Sequence, residues 1–442
     1  MTAPSRSADA PAYDAIIIGA GVIGACVAFE LAKAGFRTAS VDRKGGAGLG
    51  STAGSCAIIR LYYSNVESCA LAYENWFYWK DWEGYLEAAD PRGMIRYRDV
   101  GTLVTKCEAN GHLARAAELM DAIGAPYEHW GKEEIRAKLP FYDLRLYGPA
   151  KRPEHDGFGE PTGGEVEGAM FFPCGGYVTD PSLAAQNAEH AAKAKGAEFV
   201  YNAEVAEVLV EGGRTAGVRL ADGRVLRAPV VVNVAGPHSS KINRMAGVFD
   251  EMNIKTRALR HEVVHVPSPP GFDVEADGCV TSDSDLATYA RPETGNYVLA
   301  GSEDPECDPR EWVDPDDWDP SLSEQGRIQA MRLAQRYSGL PVPNSPKGVV
   351  ELYDVTEDWI PIYDKTALPG FYVAIGTSGN QFKNAPVVGK MMAKLIAECE
   401  AGRDHDEEPV RFDFENVGME ISVGFFSRNR RINPNSSFSV LG

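Results

Sequence analysis

The sequence predicts a mixed α/β (α+β) protein in which a Rossmann-type domain, built on a parallel sheet, is interleaved with a domain built on an antiparallel sheet. Two observations predict it. Residues 13–42 (YDAIIIGAGVIGACVAFELAKAGFRTASVD) read as strand, glycine turn, helix and second strand, with Val, Ile and Ala dense in the strands as in a sheet buried on both faces. The pattern is then interrupted and resumed twice. Segments 13–95, 173–256 and 347–400 are therefore assigned to the Rossmann-type domain, 96–172 and 257–346 to the second domain, and 401–442 to a C-terminal extension.

In chain order, the first strand and glycine turn lead into the helix ACVAFELAKAG. Cys69 to Leu86 carries apolar and aromatic residues at three- and four-residue intervals, the mark of a buried helix whose aromatics form core. Segment 96–172 mixes short apolar runs with Gly and Pro and breaks any simple βαβ repeat. Asp180-Pro181 opens an amphipathic helix (SLAAQNAEHAAKAKG), and 204–234 holds two alternating strands around turns at Gly212-Gly213 and Asp222-Gly223. From Arg257, RHEVVHV and ATYARPETGNYVLAG alternate as antiparallel strands; Lys347 to Glu400 returns to strand, glycine loop and helix. The polar, Asn-rich residues 401–442 show no periodicity, which leaves a surface extension, an oligomer contact or disorder open.

Composition narrows the function. The 442 residues, 44% hydrophobic and 24% charged, suit a soluble globular protein with two cores. A net charge of −19 argues against nucleic acid or anionic membranes, which attract clustered Lys and Arg. Residues 1–12 lack the charged start and apolar run of a secretory signal and read as a loose tail. The most apolar stretch, 15–32, is broken by Gly19, Gly21, Gly24 and Glu30, so no membrane span is expected. Eight scattered cysteines without a CxxC pair indicate neither a disulfide framework nor zinc, and a cytoplasmic location is expected. The acid-rich loop 304–319 lacks the Gly and closing Glu of a calcium loop and is read as a solvated surface loop. His261 and His265, on one strand, stand about 13 Å apart and cannot chelate one ion.

Gly19, Gly21 and Gly24 sit directly between strand and helix, the context that makes a glycine motif specific for a dinucleotide. The first permits the tight turn, the second lets backbone near Val22 and Ile23 approach a pyrophosphate, and the third lets helix and strand pack closely. The helix N-terminal amides then hold phosphate without a basic patch. Asp42, with Arg43 after it, ends the second strand where a carboxylate can accept hydrogen bonds from a ribose diol. FAD and NAD both satisfy this fingerprint.

Three later segments resemble the D-amino-acid oxidase and sarcosine oxidase superfamily of FAD-dependent enzymes, over about residues 13–400. Gly50-Ser51-Thr52 with AGSCAIIR, including Ser55, is similar to that family's loop along the flavin. VVVNVAGPHS at 230–239, with Ala235 and Gly236, is similar to its strand-to-turn near the dinucleotide. FYVAIGTSGNQFKNAPVVGKMMAKLI at 371–396 is similar to its C-terminal glycine turn and helix. The resemblance implies non-covalent FAD held by these segments together with Val205, and by Gly376, Ser378, Gly379, Asn380, Gln381, Phe382 and Lys383. Glycines at 376 and 379 allow close backbone approach, and the helix that follows directs its positive end at the ring.

The sarcosine oxidase and dimethylglycine dehydrogenase-like branch has an Arg closing the flavin loop and a Lys after the glycine turn, here Arg60 and Lys383, which clamp a substrate carboxylate. Two cations in a dry pocket would place the neighbouring C–H over the flavin. Tyr289, Arg291 and His261 lie on strands expected to roof the pocket, with strand alternation deciding which of them face inward; Arg60, Lys383, Tyr289 and His261 are the expected substrate-side residues. The glycine-oxidase-type Tyr…Pro-Arg pattern fits less well, because Glu293 follows Pro292. The resemblance implies oxidation of a small carboxylate-bearing secondary or tertiary amine to an imine. Either O2 or an electron-carrier protein would act as acceptor, and an oligomer through the C-terminal extension is left open. The pattern breaks at two points: residues 256–346 hold no Lys of the kind that assists reaction with oxygen, and Glu351 stands where some members link flavin through Cys. A flavin dehydrogenase of 2-hydroxy acids or polyamines and a flavin-bearing assembly protein are the competing readings.

Overall fold

The computed structural model describes residues 13–441; residues 1–12, read above as a loose tail, lie outside them. A six-stranded sheet runs in the order Ile362–Lys365, Phe371–Ile375, Val230–Asn233, Ala15–Ile18, Thr38–Val41, Glu198–Val200. Only the first pair is antiparallel. Strand alternation divides its side chains between two cores. Ala15, Ile17, Val230 and Val232 pack under the helices Val22–Lys33, Pro181–Ala194 and Ala385–Glu400. Ile16, Ile18, Val231 and Val373 pack against a three-stranded sheet that includes the hairpin Val205–Glu211 and Arg214–Leu220, turning at Gly212-Gly213 as expected.

The interleaved segments meet in a nine-stranded sheet ordered Glu311–Val313, Thr256–Pro267, Tyr297–Ser302, Thr288–Glu293, Val280–Asp283, Thr102–Lys106, Gly168–Phe172, Glu128–Trp130. Its single parallel pairing joins Val280–Asp283 to Thr102–Lys106, the seam between the two sequence halves. The strand Lys347–Thr356, assigned by sequence to the dinucleotide side, pairs with Thr256–Pro267 in this larger sheet. Its burial alternates from Val349 to Asp354, and the chain enters the six-stranded sheet only at Ile362. The expected helix at 69–86 is two helices: Val66–Lys80, capped by Asn65 through the Ser68 amide, and Trp82–Leu86, restarted by Asp81 through the Gly84 amide.

Ion pairs tie two surface segments to the rest of the protein. In the acid-rich loop, Asp308 is nearly buried and accepts from Arg332 at 2.5 Å and Arg152 at 3.0 Å, while Asp316 accepts from Arg43, so the largely exposed loop is also anchored to the protein. Residues 401–441 pack onto the protein: a hairpin of Arg411–Phe414 and Met419–Ser422 leads to Arg428, which is buried and bridges Asp364 and Asp406, each at 3.0 Å. Among the described residues no helix is long and apolar enough to cross a membrane.

Removing one partner of a buried ion pair leaves an uncompensated charge. Arg428→Ala is expected to destabilise the protein by about 3–5 kcal/mol in urea unfolding, because Asp364 is fully buried. A loss under about 1 kcal/mol, as for exposed pairs, would show that the extension is only loosely attached.

Candidate functional site

One continuous cavity of about 410 Å3 takes its walls from every segment assigned above. At its dinucleotide end the glycines do what their spacing required. Gly19 takes φ +113, and a Cβ there would sit 2.4 Å from the Val234 carbonyl oxygen; a Cβ on Gly24 would meet the Gly19 oxygen at 2.1 Å. The helix Val22–Lys33 starts at Gly21, which has no side chain to cap it, and carries no acid in its first turn, so apart from the Val22 amide its positive end is available to an anion. Asp42 accepts the Ala20 and Lys44 amides, each at 2.7 Å, which fixes its carboxylate at the cavity wall with lone pairs to spare. Thr52 lines the cavity and accepts the Val22 amide at 3.1 Å. Val205, Ala235 and Gly236 line the same end, as expected.

Several residues here were not foreseen. Pro315, Asp316 and Trp318 of the acid-rich loop close over this end. Asp316 holds Arg43 at 2.7 Å, His238 at 2.9 Å and Lys241 at 2.5 Å. Their signal was the surplus of acids in that loop, but nothing local in sequence says where a loop docks.

At the flavin end, Gly50, Ser51, Thr52 and Ser55 face Glu351, Leu352 and Tyr353 across the cavity, with the Ser51 hydroxyl donating to the Leu352 carbonyl at 2.8 Å. Glu351 lines the cavity. Gly376 and Ser378 do not line the cavity; they make the turn that delivers Gly379, Asn380, Gln381, Phe382 and Lys383, which do. Positive φ at Gly376, Ser378 and Gly379 demands that turn, and a Cβ on Gly379 would strike the Tyr353 ring at 2.3 Å. Asp354 clamps it, accepting the Gly376 amide at 2.7 Å and the Thr377 hydroxyl.

FAD fits these residues. Asn380 lines the cavity with a buried amide nitrogen that has no partner among the described residues, a donor suited to a flavin carbonyl or ring nitrogen. A dinucleotide's pyrophosphate matches the open helix start, and a ribose diol matches Asp42.

Arg60 and Lys383 come together around Tyr63. The Arg60 guanidinium lies over the rings of Tyr62 and Tyr63, 4.8 and 4.5 Å from their centroids, and donates to the carbonyls of Tyr62 and, at 2.8 Å, Val440. Lys383 Nζ donates to the Tyr63 hydroxyl at 2.9 Å and the Asn380 carbonyl at 2.7 Å. Both cations are buried, and their only partners among the described residues are neutral oxygens. Burial, with Arg60 nearby, holds Lys383 well below the ordinary lysine range. Tyr289 lines the cavity as expected, its hydroxyl 3.4 Å from Cys56 Sγ.

Two expected roof residues stand behind the wall. His261 stacks on Tyr353 at 4.2 Å and pairs with Asp304 at 3.2 Å. Arg291 donates to the Cys56 carbonyl at 2.7 Å and pairs with Glu293 at 2.9 Å. Tyr289 and Arg291 are two apart on one strand, yet only Tyr289 reaches the cavity, because Arg291 bends back over Tyr177. Val440 and Leu441, from the extension without periodicity, also line the cavity.

Comparison with known proteins shows the family. The sequence model of the DAO family, FAD dependent oxidoreductase, matches residues 14–395. The chain is 26% identical over 396 residues to sarcosine oxidase subunit beta of Rhizobium meliloti, covering 88% of this chain and 85% of that one. Its fold is similar to L-proline dehydrogenase from P. horikoshii, with a TM-score of 0.72 at 21% identity over 87% of this chain and 93% of that one. It is equally similar to glycine oxidase from Geobacillus kaustophilus, with a TM-score of 0.72 at 21% identity over 95% and 99%.

Asp42→Ala removes a charged acceptor from the dinucleotide end, and such hydrogen bonds contribute about 1.5–3 kcal/mol. FAD affinity of the apoprotein, followed by quenching of flavin fluorescence, is expected to fall by about ten- to a hundredfold. An unchanged affinity would mean that Asp42 only braces the Ala20 and Lys44 amides.

Proposed function

The chain belongs to the DAO family of FAD dependent oxidoreductases, and from that premise we propose that it oxidises the C–N bond of a small secondary or tertiary amine bearing a carboxylate. An N-methyl amino acid or a cyclic imino acid has that chemistry. The observation that carries the reading is the pair Arg60 and Lys383, two buried basic side chains facing one cavity with no carboxylate bonded to either among the described residues. Burying a charge without its opposite is costly. A substrate carboxylate would supply it, taking the place of the Val440 carbonyl on Arg60 and joining Tyr63 on Lys383.

FAD supplies the two-electron acceptor for hydride. The protein's own task is to orient and to enclose. Arg60 and Lys383 fix the acid end of the substrate, while Tyr289, Tyr353 and Tyr62 wall the cavity and exclude water. No protein nucleophile is required, since the imine hydrolyses in water. An N-methyl amino acid would yield formaldehyde and a primary amino acid; a ring amine would yield a cyclic imine. Either O2 or an electron-carrier protein would remove the electrons. The name of the Rhizobium relative, a subunit beta, supports assembly with other subunits.

Anaerobic addition of sarcosine, dimethylglycine, proline and D-alanine to the flavoprotein tests the reading. Bleaching of the flavin band by a secondary or tertiary amino acid, and not by the corresponding amino amide, is the expected result. Arg60→Ala or Lys383→Met should weaken substrate binding about a hundredfold or more, as truncating one side of a buried charge pair costs about 2–5 kcal/mol. A protein that no amino acid bleaches contradicts the proposal. The rate on readmitting air separates oxidase from dehydrogenase.

Lys383 adds a pH dependence. Its pKa is lowered in the folded protein, so its charge is present at low pH and is lost as pH rises through a value below the ordinary lysine range. KM for the carboxylate substrate should therefore rise towards alkaline pH, and the rise should disappear in Lys383→Met. A KM that stays flat in the parent protein up to the ordinary lysine range would contradict the role given to Lys383.

A further inference from the structure

Removing hydride from carbon beside nitrogen needs the free amine, because the nitrogen lone pair must take up the developing positive charge. A secondary or tertiary amino acid in neutral water is an ammonium, with a pKa roughly in the range of lysine. A site working near neutral pH therefore gains from a group that accepts one proton from the bound substrate. The inference that follows rests on the amine reading above.

The nine-stranded sheet places such a group at the cavity. Tyr289 pairs in register with Ser282 on one side and Gly301 on the other. Residues in register share a face of a sheet, and Ser282 and Tyr289 line the cavity. Glu303 follows two positions after Gly301 and is buried. Ser282 donates to one of its oxygens at 2.5 Å and Ser284 to the other at 2.9 Å. No Lys, Arg or His forms an ion pair with it among the described residues. A buried carboxylate held by two hydroxyls, one of them on a cavity wall, is the arrangement of a proton acceptor that reaches its donor through a serine.

We propose that Ser282 and Glu303 relay the ammonium proton of the bound substrate out of the cavity. The substrate N–H proton passes to Ser282 Oγ as the Ser282 hydroxyl proton passes to Glu303 Oε1. Substrate cation and carboxylate are both neutralised, and no electron moves in this step. Ser282 is the residue that touches substrate; Glu303 acts through it and is a positioning residue. The surroundings suit the task. Burial pushes Glu303 up to about 7, with Asp283 adding to the rise and Ser282, Ser284 and Arg60 opposing it. Tyr62 lies close enough to feel the Glu303 charge. Asp283 itself is paired with Arg336 at 2.6 Å. Glu303 is then ionised, and able to accept, above about neutral pH.

The test is the pH profile of anaerobic flavin reduction at saturating amine, measured by rapid mixing on the holoenzyme and on Glu303→Gln and Ser282→Ala. The parent rate is expected to rise with pH and level off near the Glu303 value. Both variants should lose that plateau, reduce about a hundredfold more slowly at neutral pH, and accelerate only towards the amine's own range. Their affinity for acetate, read from perturbation of the flavin spectrum, should stay within about threefold of the parent, because the cation pair is intact. A plateau that survives in either variant overturns the relay. So does a Glu303→Gln protein whose slower reduction is matched by lost acetate binding, since Glu303 would then only shape the cation site. Should Glu303→Gln fail to retain flavin, Ser282→Ala decides alone. If no amine reduces the parent flavin, the amine reading itself fails and the relay with it.

Discussion

Arg60 and Lys383 share a cavity wall with no carboxylate bonded to either among the described residues, and the tyrosine between them touches both. Each ion removed from water costs several kcal/mol unless a partner repays it. Cation–π contact with Tyr62 and Tyr63 and donation to carbonyl oxygens offset part of that cost. In the proposed reading a substrate carboxylate offsets the remaining part, and the lowered pKa of Lys383 has the same origin, burial beside Arg60. The two cations are brought together by an interleaved chain: one follows the first flavin loop, the other the last glycine turn, and Tyr63 closes the gap by donating to the Asn380 carbonyl at 3.0 Å.

The same close approach of backbone that admits a dinucleotide holds this cavity in place. Gly19 and Gly24 let the first helix sit against the sheet, and Gly389 of the last helix lies against Cys26, where a Cβ would come within 2.7 Å of its carbonyl oxygen. Glycines thus stack the last helix on the first. Lys383 lies just ahead of that last helix, and its carbonyl accepts the Trp79 indole at 2.6 Å, so the cation is braced from a third element. Cofactor site and substrate site are in this sense one packing problem.

The sequence disclosed the parts whose physics is local. A glycine turn between a β-rich run and a helix has one common use, and Asp42 follows from its place at a strand end. Arg60 and Lys383 were legible only through resemblance, since a lone Arg or Lys has no signature of its own. What escaped was decided by tertiary packing. His261 and Arg291 occupy the expected strands, but side-chain direction and a neighbouring Glu293 turned them from the cavity. Asp316 and Val440 reach the cavity from segments whose composition suggested solvent, because docking depends on partners far off in sequence. Lys347–Thr356 reads as a strand in either sheet, and only its long register with Thr256–Pro267 decides which. Glu303 carried no signal, being one acid beside an acid-rich loop.

Proton uptake on carboxylate binding tests the central claim most directly. If Lys383 is held partly neutral by burial beside Arg60, an arriving carboxylate restores its charge and draws a proton from solvent. Calorimetric titration of the flavoprotein with acetate, at mildly alkaline pH in buffers of different ionisation enthalpy, counts that proton. The account predicts net uptake, absent in Lys383→Met and absent when acetamide replaces acetate. Acetate binding with no proton uptake, or binding unchanged by loss of either cation, would contradict it.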